Sequence, residues 1–180
     1  MKNYERIFLD RDGTINHDPG YISQLEDFKL FDFTVSALRL LTSISNKFII
    51  ITNQSGIGRR LIKEIDLLGI NNFLMNEFAN NDIPLLKIYY CPDHPDQASD
   101  RRKPGVGMFI ESSKDYSIDL SNCLMIGDSI SDIQPAKNLG MDSMLVLTGN
   151  GERDKNKFVN DNKPTYVAQN IMTGARLLTQ

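Results

Sequence analysis

The sequence predicts an α/β domain with a mostly parallel sheet, and two observations lead to that prediction. Short apolar runs alternate along the chain with stretches whose apolar residues recur at helical spacing. The apolar runs are continuous, without polar alternation, which is typical of strands covered by helices on both faces. Because 180 residues with 41% hydrophobic composition suit one core rather than two, we expect residues 1–180 to form a single domain.

The predicted elements follow one another in strand-helix order. Strands are predicted at residues 7–9, 48–52, 85–90, 123–126 and 143–147, with a weaker sixth at 165–168. Helices are predicted at residues 35–44, 61–79, 106–116, 130–139 and 171–178. Segments 10–29 and 91–105 are expected to be functional loops, and the polar segment 150–163 a mobile one.

Charge and cysteine content exclude several classes of partner. The formal net charge is -3 with both signs spread along the chain, so no general attraction to nucleic acid or membranes is expected. Cys91 and Cys123 form no disulfide framework of the kind found in small secreted domains. The charged first residues lead into a short apolar strand, unlike a signal peptide or membrane span. We therefore expect a cytoplasmic monomer that acts on a small molecule.

Two carboxylates stand at the end of the first predicted strand. Asp10 and Asp12 follow its apolar residues, and ligands of open α/β sheets bind at the carboxyl ends of strands. The spacing suits a division of roles in which Asp10 attacks phosphorus while Asp12 transfers protons to the leaving oxygen and from water. On its own, such a pair is equally consistent with a solvated turn.

Phosphate-binding candidates follow the second predicted strand and a later loop. The strand is followed by hydroxyl, amide and backbone donors that suit phosphate oxygens, although an ordinary turn with a helix cap has the same composition. These residues are Thr52, Asn53, Gln54 and Ser55. Lys103 is a candidate to neutralise a phosphoryl group, whereas a lone lysine before proline is usually a solvated surface residue.

A second acidic pair follows the fourth predicted strand. Asp128 and Asp132 offer oxygen ligands that suit a hard cation, although a helix with an acidic first turn explains Asp132 equally well. Each of the four motifs has an ordinary structural explanation, but four such coincidences in this order are much less expected than one site that the motifs share. The sequence therefore predicts that these motifs meet at one edge of the sheet.

The four motifs resemble those of the haloacid dehalogenase superfamily of aspartyl-phosphate enzymes. The resemblance implies a Rossmann-like three-layer sandwich with strand order 5-4-1-2-3. It implies that Asp10 is nucleophile and Mg²⁺ ligand, that Asp12 is general acid/base and binds Mg²⁺ through its backbone carbonyl, and that Asp128 completes the site. Thr52 and Lys103 would steady the phosphoryl group. Because Asp12 is present, the chain looks like the phosphatase branch rather than the dehalogenase branch.

Narrower motifs are similar to those of bacterial D-glycero-D-manno-heptose 1,7-bisphosphate 7-phosphatases, and histidinol-phosphate phosphatases share nearly the same set. They are FLDRDGTIN (8–16), HDPGY (17–21), TNQSGI (52–57) and YCP (90–92). The likeness implies short substrate-binding loops and no large cap domain. Along the substrate it places Asp18, Pro19, Gly20, Tyr21, Asn53, Gln54, Ser55 and Arg102. Ser129 departs from the lysine that such relatives usually carry after the metal-binding aspartate.

The same likeness implies a structural zinc, which this sequence does not support. Relatives hold the ion by Cys-x-His, or a close variant, and a later Cys-x-Cys just before Arg-Lys-Pro. This chain keeps Cys91 and His94 but has Ser99 and Arg101 at the second pair. Because structural zinc requires four nitrogen or sulfur ligands, we expect Zn²⁺ to be absent and Cys91 to be a partly buried small residue.

Clustered arginines provide the clue to the substrate. Four of them fall in two predicted loops near the same strand ends, where they would favour a second anionic group, although any single one is often a solvated surface charge. They are Arg59, Arg60, Arg101 and Arg102. A sugar bisphosphate has such a group, whereas histidinol phosphate carries an amine and an imidazole. We therefore expect removal of the 7-phosphate of the heptose bisphosphate, with histidinol phosphate as the alternative substrate.

Two further functions stay open. A non-catalytic phosphometabolite-binding protein of the same fold is conceivable, although the intact acidic pair argues against it. A nucleic-acid end-processing phosphatase would require an extended basic stripe with interleaved aromatic residues, which the sequence lacks.

Overall fold

The six predicted strands form one parallel sheet. A computed structural model describes residues 2–159 and 162–180, and its sheet has the order β3-β2-β1-β4-β5-β6. The strands are β1 (Ile7–Leu9), β2 (Phe48–Asn53), β3 (Leu85–Cys91), β4 (Leu124–Gly127), β5 (Asp142–Val146) and β6 (Tyr166–Ala168). From β5 to β3 this is the predicted order 5-4-1-2-3, which is confirmed, and β6 adds an edge strand beside β5.

Helices cover both faces of the sheet and complete a three-layer sandwich. They are α1 (Thr34–Leu41), α2 (Ser55–Gly58), α3 (Glu64–Asn80), α4 (Gly107–Tyr116), α5 (Ile130–Asn138), α6 (Gly151–Asp154) and α7 (Ile171–Thr179). Ile7 and Leu9 belong to the core cluster that includes α1, α3 and α7, whereas Phe8 belongs to the cluster that includes α4 and α5. This burial on both faces explains why the strands are continuous apolar runs.

The polar segment 150–163 differs from its prediction as a mobile loop. Its first part forms α6 and a 3-10 turn, Lys155–Lys157. Asp154 is buried there, accepts a hydrogen bond from the backbone N–H of Ile130 at 3.2 Å and pairs with Lys157 at 2.6 Å. The segment is therefore attached to the first turn of α5, a contact that polar composition does not reveal. Residues 160 and 161 of the predicted loop lie outside the described residues.

Strand register aligns the predicted motifs. Leu9 of β1 pairs with Ile50 of β2 and with Ile126 of β4, and the backbone N–H of Asp10 donates to the carbonyl of Ile126 at 2.9 Å. The carboxyl ends of β1, β2 and β4 therefore lie side by side, which is where ligands bind in open parallel sheets. In residues 2–159 and 162–180, no helix is both long and apolar enough to cross a membrane.

Candidate active site

An open pocket of about 410 Å³ lies where β1, β2 and β4 end. It brings together most of the predicted site residues. These are Asp10, Asp12, Asp18, Gly20, Tyr21, Thr52, Asn53, Gln54, Ser55, Lys103 and Asp128. Two predicted residues differ: Pro19 lines a neighbouring hollow with His17 and Lys29, and Arg102 is not part of the lining. The lining also includes Asp132, which the sequence offered as an oxygen ligand, and three further polar residues, Ser129, Ser131 and Asn150.

Lys103 is the centre of the buried charge network. Its Nζ donates to Asp10 Oδ1 at 2.6 Å, to Asp132 Oδ1 at 2.5 Å and to the carbonyl of Ile51 at 2.7 Å, so each ammonium hydrogen has an acceptor. Burial by itself lowers the pKa of Lys103, but the charges of Asp10 and Asp132 outweigh it and raise this pKa above its ordinary value. Lys103 is therefore a fixed ammonium rather than a surface lysine.

Asp132 combines two functions at the start of α5. Its Oδ1 accepts from Lys103, while its Oδ2 accepts from the backbone N–H of Ser129 at 3.1 Å and from the Ser129 hydroxyl at 2.6 Å. The acidic first turn expected from the sequence is therefore present, and the same side chain also belongs to the site. Ser129, which replaces the expected lysine, fixes Asp132 at this turn.

Asp128 lies in a tight backbone cradle between β1 and β5. Its Oδ2 accepts from the backbone N–H of Asn150 at 2.7 Å and from the Asn150 side chain at 3.2 Å. Gly13 and Gly149, both at positive φ, approach so closely that a Cβ on either would meet Asp128 Oδ2 within 2.4 and 2.1 Å respectively. Burial, followed by the charge of Asp132, raises the pKa of Asp128 to about 7.

The carboxylates present fit a magnesium ion. Asp10, Asp128 and Asp132 each offer one oxygen, and these oxygens lie within 4.8 Å of one another. Burial and the charge of Asp132 raise the pKa of Asp10, and Lys103 opposes that rise, so a cation bound here would favour the charged carboxylate. Hard divalent cations prefer such oxygen ligands. Both oxygens of Asp132 are already bound, by Lys103 and Ser129. Lys103 binds only Oδ1 of Asp10 and Asn150 binds only Oδ2 of Asp128, so these two side chains are suited to hold the ion.

The carboxylate of Asp12 is held by four N–H groups. Arg11 donates from Nε to Oδ1 at 3.0 Å and from Nη2 to Oδ2 at 2.9 Å, Asn16 donates to Oδ1 at 2.9 Å, and Gln54 donates to Oδ2 at 2.7 Å. Arg11 is only 1% exposed, so its guanidinium is a buried partner of this carboxylate. The side chain predicted to transfer protons therefore has a fixed position beside Asp10.

Two amides predicted to contact the substrate line the pocket and also orient other site residues. Asn53 Nδ2 donates to the carbonyl of Lys103 at 2.9 Å, and the backbone N–H of Lys103 donates to Asn53 Oδ1 at 3.0 Å. Gln54 Nε2 donates to Thr52 Oγ1 at 3.0 Å as well as to Asp12. The end of β2 therefore fixes both the backbone of the lysine and the carboxylate of the proton-transfer candidate.

The outer wall of the pocket is the exposed loop 17–21. The backbone N–H of Gly20 donates to Asp18 Oδ1 at 2.9 Å, which closes a small turn at a glycine with φ of 111°. Tyr21 is 51% exposed and approaches Gly56 of α2. These residues lie at the mouth, where they could contact the part of a substrate away from the reacting phosphate.

Comparisons with known proteins assign the chain to a family. Residues 100–173 match the HAD-hydrolase-like family. Over 151 residues the chain is 38% identical to a D-glycero-beta-D-manno-heptose-1,7-bisphosphate 7-phosphatase of Photorhabdus laumondii, a match that covers 79% of this chain and 80% of that protein. This chain belongs to the heptose-bisphosphate 7-phosphatase family of haloacid dehalogenase-like hydrolases.

A second relative is named for the other anomer of the heptose bisphosphate, and a third is a crystal structure with bound magnesium and phosphate. A D-glycero-alpha-D-manno-heptose-1,7-bisphosphate 7-phosphatase of Campylobacter jejuni is 35% identical, with 84% of this chain and 86% of that protein covered. The crystal structure of a D,D-heptose 1,7-bisphosphate phosphatase from B. bronchiseptica, complexed with magnesium and phosphate, matches at a TM-score of 0.87 and 29% identity. That match covers 99% of this chain and 98% of the other. The predicted resemblance is confirmed.

In the present chain, the arginines that the sequence predicted to cluster do not line the pocket. Arg101 pairs with Glu111 of α4 and donates to the carbonyl of Tyr90 at 3.0 Å, and Arg102 donates to the carbonyl of Asp93 at 3.4 Å. Within the described part of the chain, the pocket lining contains none of the four predicted arginines, which are Arg59, Arg60, Arg101 and Arg102. The charge clue to the substrate is therefore wrong for Arg101, whose charge is already paired inside the protein.

The structure gives three residues of the site contacts that the sequence did not predict. Asp132 carried a signal, since its spacing from Asp128 is that of two residues on one helical turn. Arg11 stands between the two catalytic candidates, but nothing in the sequence shows that its guanidinium is buried. Asn150 has no local signal, because it reaches Asp128 from the far end of β5.

Proposed function

We propose that the chain is a magnesium-dependent phosphatase that removes the 7-phosphate of D-glycero-D-manno-heptose 1,7-bisphosphate through an aspartyl-phosphate. The observation that carries the proposal is the contact of Lys103 with Asp10 in a pocket that also holds Asp12 and Asp128. The names of the relatives specify the substrate, and a relative binds magnesium and phosphate together.

Asp10 is the nucleophile in this proposal. Lys103 binds its Oδ1, so the other carboxylate oxygen attacks phosphorus. A bond forms between this oxygen and phosphorus while the bond from phosphorus to the sugar oxygen breaks. Asp12 gives its proton to the departing oxygen, and the sugar 1-phosphate leaves.

Asp12 then acts as a base. It accepts a proton from water, whose oxygen attacks phosphorus, and phosphate departs as the carboxylate of Asp10 is restored. Lys103, Thr52 and the backbone donors that follow β2 stabilise charge on the phosphoryl oxygens. Asp10, Asp128 and the backbone carbonyl of Asp12 would hold Mg²⁺, which would offset the repulsion between carboxylate and phosphate.

The compartment and assembly state belong to the same proposal. Both cysteines are free and buried, which suits a reducing environment, and we place the enzyme in the cytoplasm as a monomer without nucleic-acid or membrane partners. Histidinol phosphate is the alternative substrate, and non-catalytic binding of a phosphometabolite is the alternative function.

Phosphate release in magnesium tests the proposal. Both anomers of the heptose bisphosphate are compared with histidinol phosphate at matched concentrations, for the wild type and for Asp10→Asn. We expect preference for one heptose anomer and no turnover by the variant. If histidinol phosphate were preferred, the substrate would be wrong; if Asp10→Asn retained near-normal activity, the mechanism would be wrong. No turnover of any substrate would favour the non-catalytic alternative.

A further inference from the structure

The loop between β3 and α4, residues 92–106, carries Lys103 into the site and lacks the ligands for the zinc that the family likeness implies. Ser99 and Arg101 stand where the second pair of zinc ligands is expected. The contacts of these two residues show what fixes the loop in this chain.

Ser99 closes the first part of the loop onto Asp93. Its backbone N–H and its hydroxyl donate to Asp93 Oδ2 at 2.7 and 2.6 Å. The hydrogen bond from the Ser99 hydroxyl, and to a smaller extent the one from its backbone N–H, lowers the pKa of Asp93, so this carboxylate is charged at neutral pH. The start of this loop also packs against α2, where a Cβ on Gly58 would meet the backbone N of His94 at 2.5 Å. The two hydrogen bonds from Ser99 to Asp93 therefore join residues six positions apart and close this part of the loop.

Arg101 anchors the second part of the loop, immediately before Lys103. Its guanidinium pairs with Glu111 on α4 and donates to the carbonyl of Tyr90 on β3 at 3.0 Å. The preceding carbonyl, of Asp100, accepts from the backbone N–H of Gly107 at 2.8 Å. The chain is therefore attached to both β3 and α4 two residues before the lysine that binds Asp10.

The remaining candidate ligands do not fit zinc. Cys91, which the sequence predicted to be partly buried, is fully buried, and a structural zinc would require three further nitrogen or sulfur ligands around it. His94 accepts the backbone N–H of Asp96 on Nδ1 at 3.2 Å. Among the residues with described positions, one group of acidic, histidine or cysteine side chains lies close enough together to share an ion. That group is the active-site cluster of Asp10, Asp128 and Asp132, not this loop. The cationic Arg101 further disfavours a second cation here.

We infer that the Asp93–Ser99 hydrogen bonds and the Arg101–Glu111 ion pair hold this loop without a metal, and that they position Lys103 for reaction with phosphate. Arg101 and Glu111 are positioning residues, since they act through Lys103 rather than on the substrate. The activity readout rests on the proposed function, whereas the metal and stability readouts do not.

Metal content tests whether this loop is held without zinc. The protein is expressed with zinc in the medium, purified without chelators and analysed for bound metal, and its thermal unfolding is followed with and without a zinc-selective chelator in excess magnesium. We expect much less than one zinc per chain and an unchanged midpoint. One zinc per chain that Cys91→Ser removes, or a midpoint lowered by the chelator, overturns the inference. Zinc that remains bound in the Cys91→Ser variant is not held by this loop, and this result agrees with the inference.

Variants of the ion pair test the positioning role. Arg101→Met and Glu111→Gln are expected to lower kcat by about tenfold with little change in KM, and the double variant to fall no further than Arg101→Met, because both break one contact. The matched control is Lys87→Met, since Lys87 pairs with Asp115 and joins the same strand to the same helix away from the pocket.

The kcat values of these variants decide whether Arg101 and Glu111 position Lys103. A kcat that stays at the wild-type value in Arg101→Met, or that falls equally in Lys87→Met, overturns the positioning role. If the wild type turns over no phosphate ester, the proposed function fails, while zinc content and thermal midpoints still test the metal-free loop.

Discussion

Replacing Lys103 by methionine tests the charge network most severely. Methionine has a similar length but no charge, so the change leaves the carboxylates of Asp10 and Asp132 buried without their shared partner, and the carbonyl of Ile51 loses its donor. Removing one partner of a buried ion pair costs about 3–5 kcal/mol. We expect the free energy of unfolding of the metal-free protein to fall by about this amount at about pH 8.

The loss should depend on pH in a defined direction. Burial and Asp132 already raise the pKa of Asp10 against the opposing charge of Lys103, and removing the ammonium removes that opposition. A group whose folded-state pKa lies above its unfolded value destabilises the protein as pH rises above the unfolded pKa. The difference between Lys103→Met and the wild type should therefore shrink as the pH falls toward the ordinary range of an aspartate.

Urea denaturation in the presence of a chelator measures this difference, with Lys87→Met as the control. Lys87 also forms an ion pair with an aspartate, at 2.7 Å, but both partners are well exposed, so we expect no measurable loss. A loss in Lys103→Met that is no larger than the control, or that grows as the pH falls, would refute the reasoning.

Three further predictions concern the metal and the proton. Because Asp128 has a pKa raised to about 7 and must lose its proton to bind a cation, Mg²⁺ should raise the thermal midpoint more at about pH 8 than at about pH 5.5, and an equal rise would contradict this. Gly149→Ala should weaken magnesium binding by about tenfold or more, as measured by calorimetry, because its Cβ would displace Asp128, whereas Gly140→Ala, also at positive φ but with open space around it, should not. Asp12→Asn should lower kcat on a sugar phosphate by about 10²–10⁴ and on an aryl phosphate much less, since a good leaving group requires no proton; equal losses would argue against Asp12 as the acid.

Secondary structure followed from the sequence because burial on both faces makes each strand a continuous apolar run. Boundaries were set by contacts that the pattern does not encode. Asp142 begins β5 despite its charge, because its carboxylate accepts from the Tyr4 hydroxyl at 2.7 Å and from Lys2 at 2.7 Å. Helix α3 begins at Glu64 rather than at 61, because the backbone N–H groups of Leu61 and Ile62 both donate to one carbonyl in α2.

The site was predictable where it depends on strand ends. Asp10, Thr52 and Asp128 each lie at the end of a strand, and the parallel sheet brings such positions together. The partners of the side chains were not predictable. Asn53 binds the backbone of Lys103 fifty positions away and Asn150 binds Asp128 across twenty-two, so only the folded chain shows that these amides orient the reacting groups.

The central claim is that Asp10 carries the phosphoryl group, and a rapid-quench experiment tests it most directly. Asp12→Asn is mixed with magnesium and an aryl phosphate, whose leaving group requires no proton, and is then quenched in acid, digested and analysed by peptide mass spectrometry. We expect one added phosphoryl group on the peptide that contains Asp10, and we expect it to persist longer in the variant than in the wild type because water is no longer activated. Substrate turnover by the wild type with no phosphoryl group on Asp10 in either protein would contradict it.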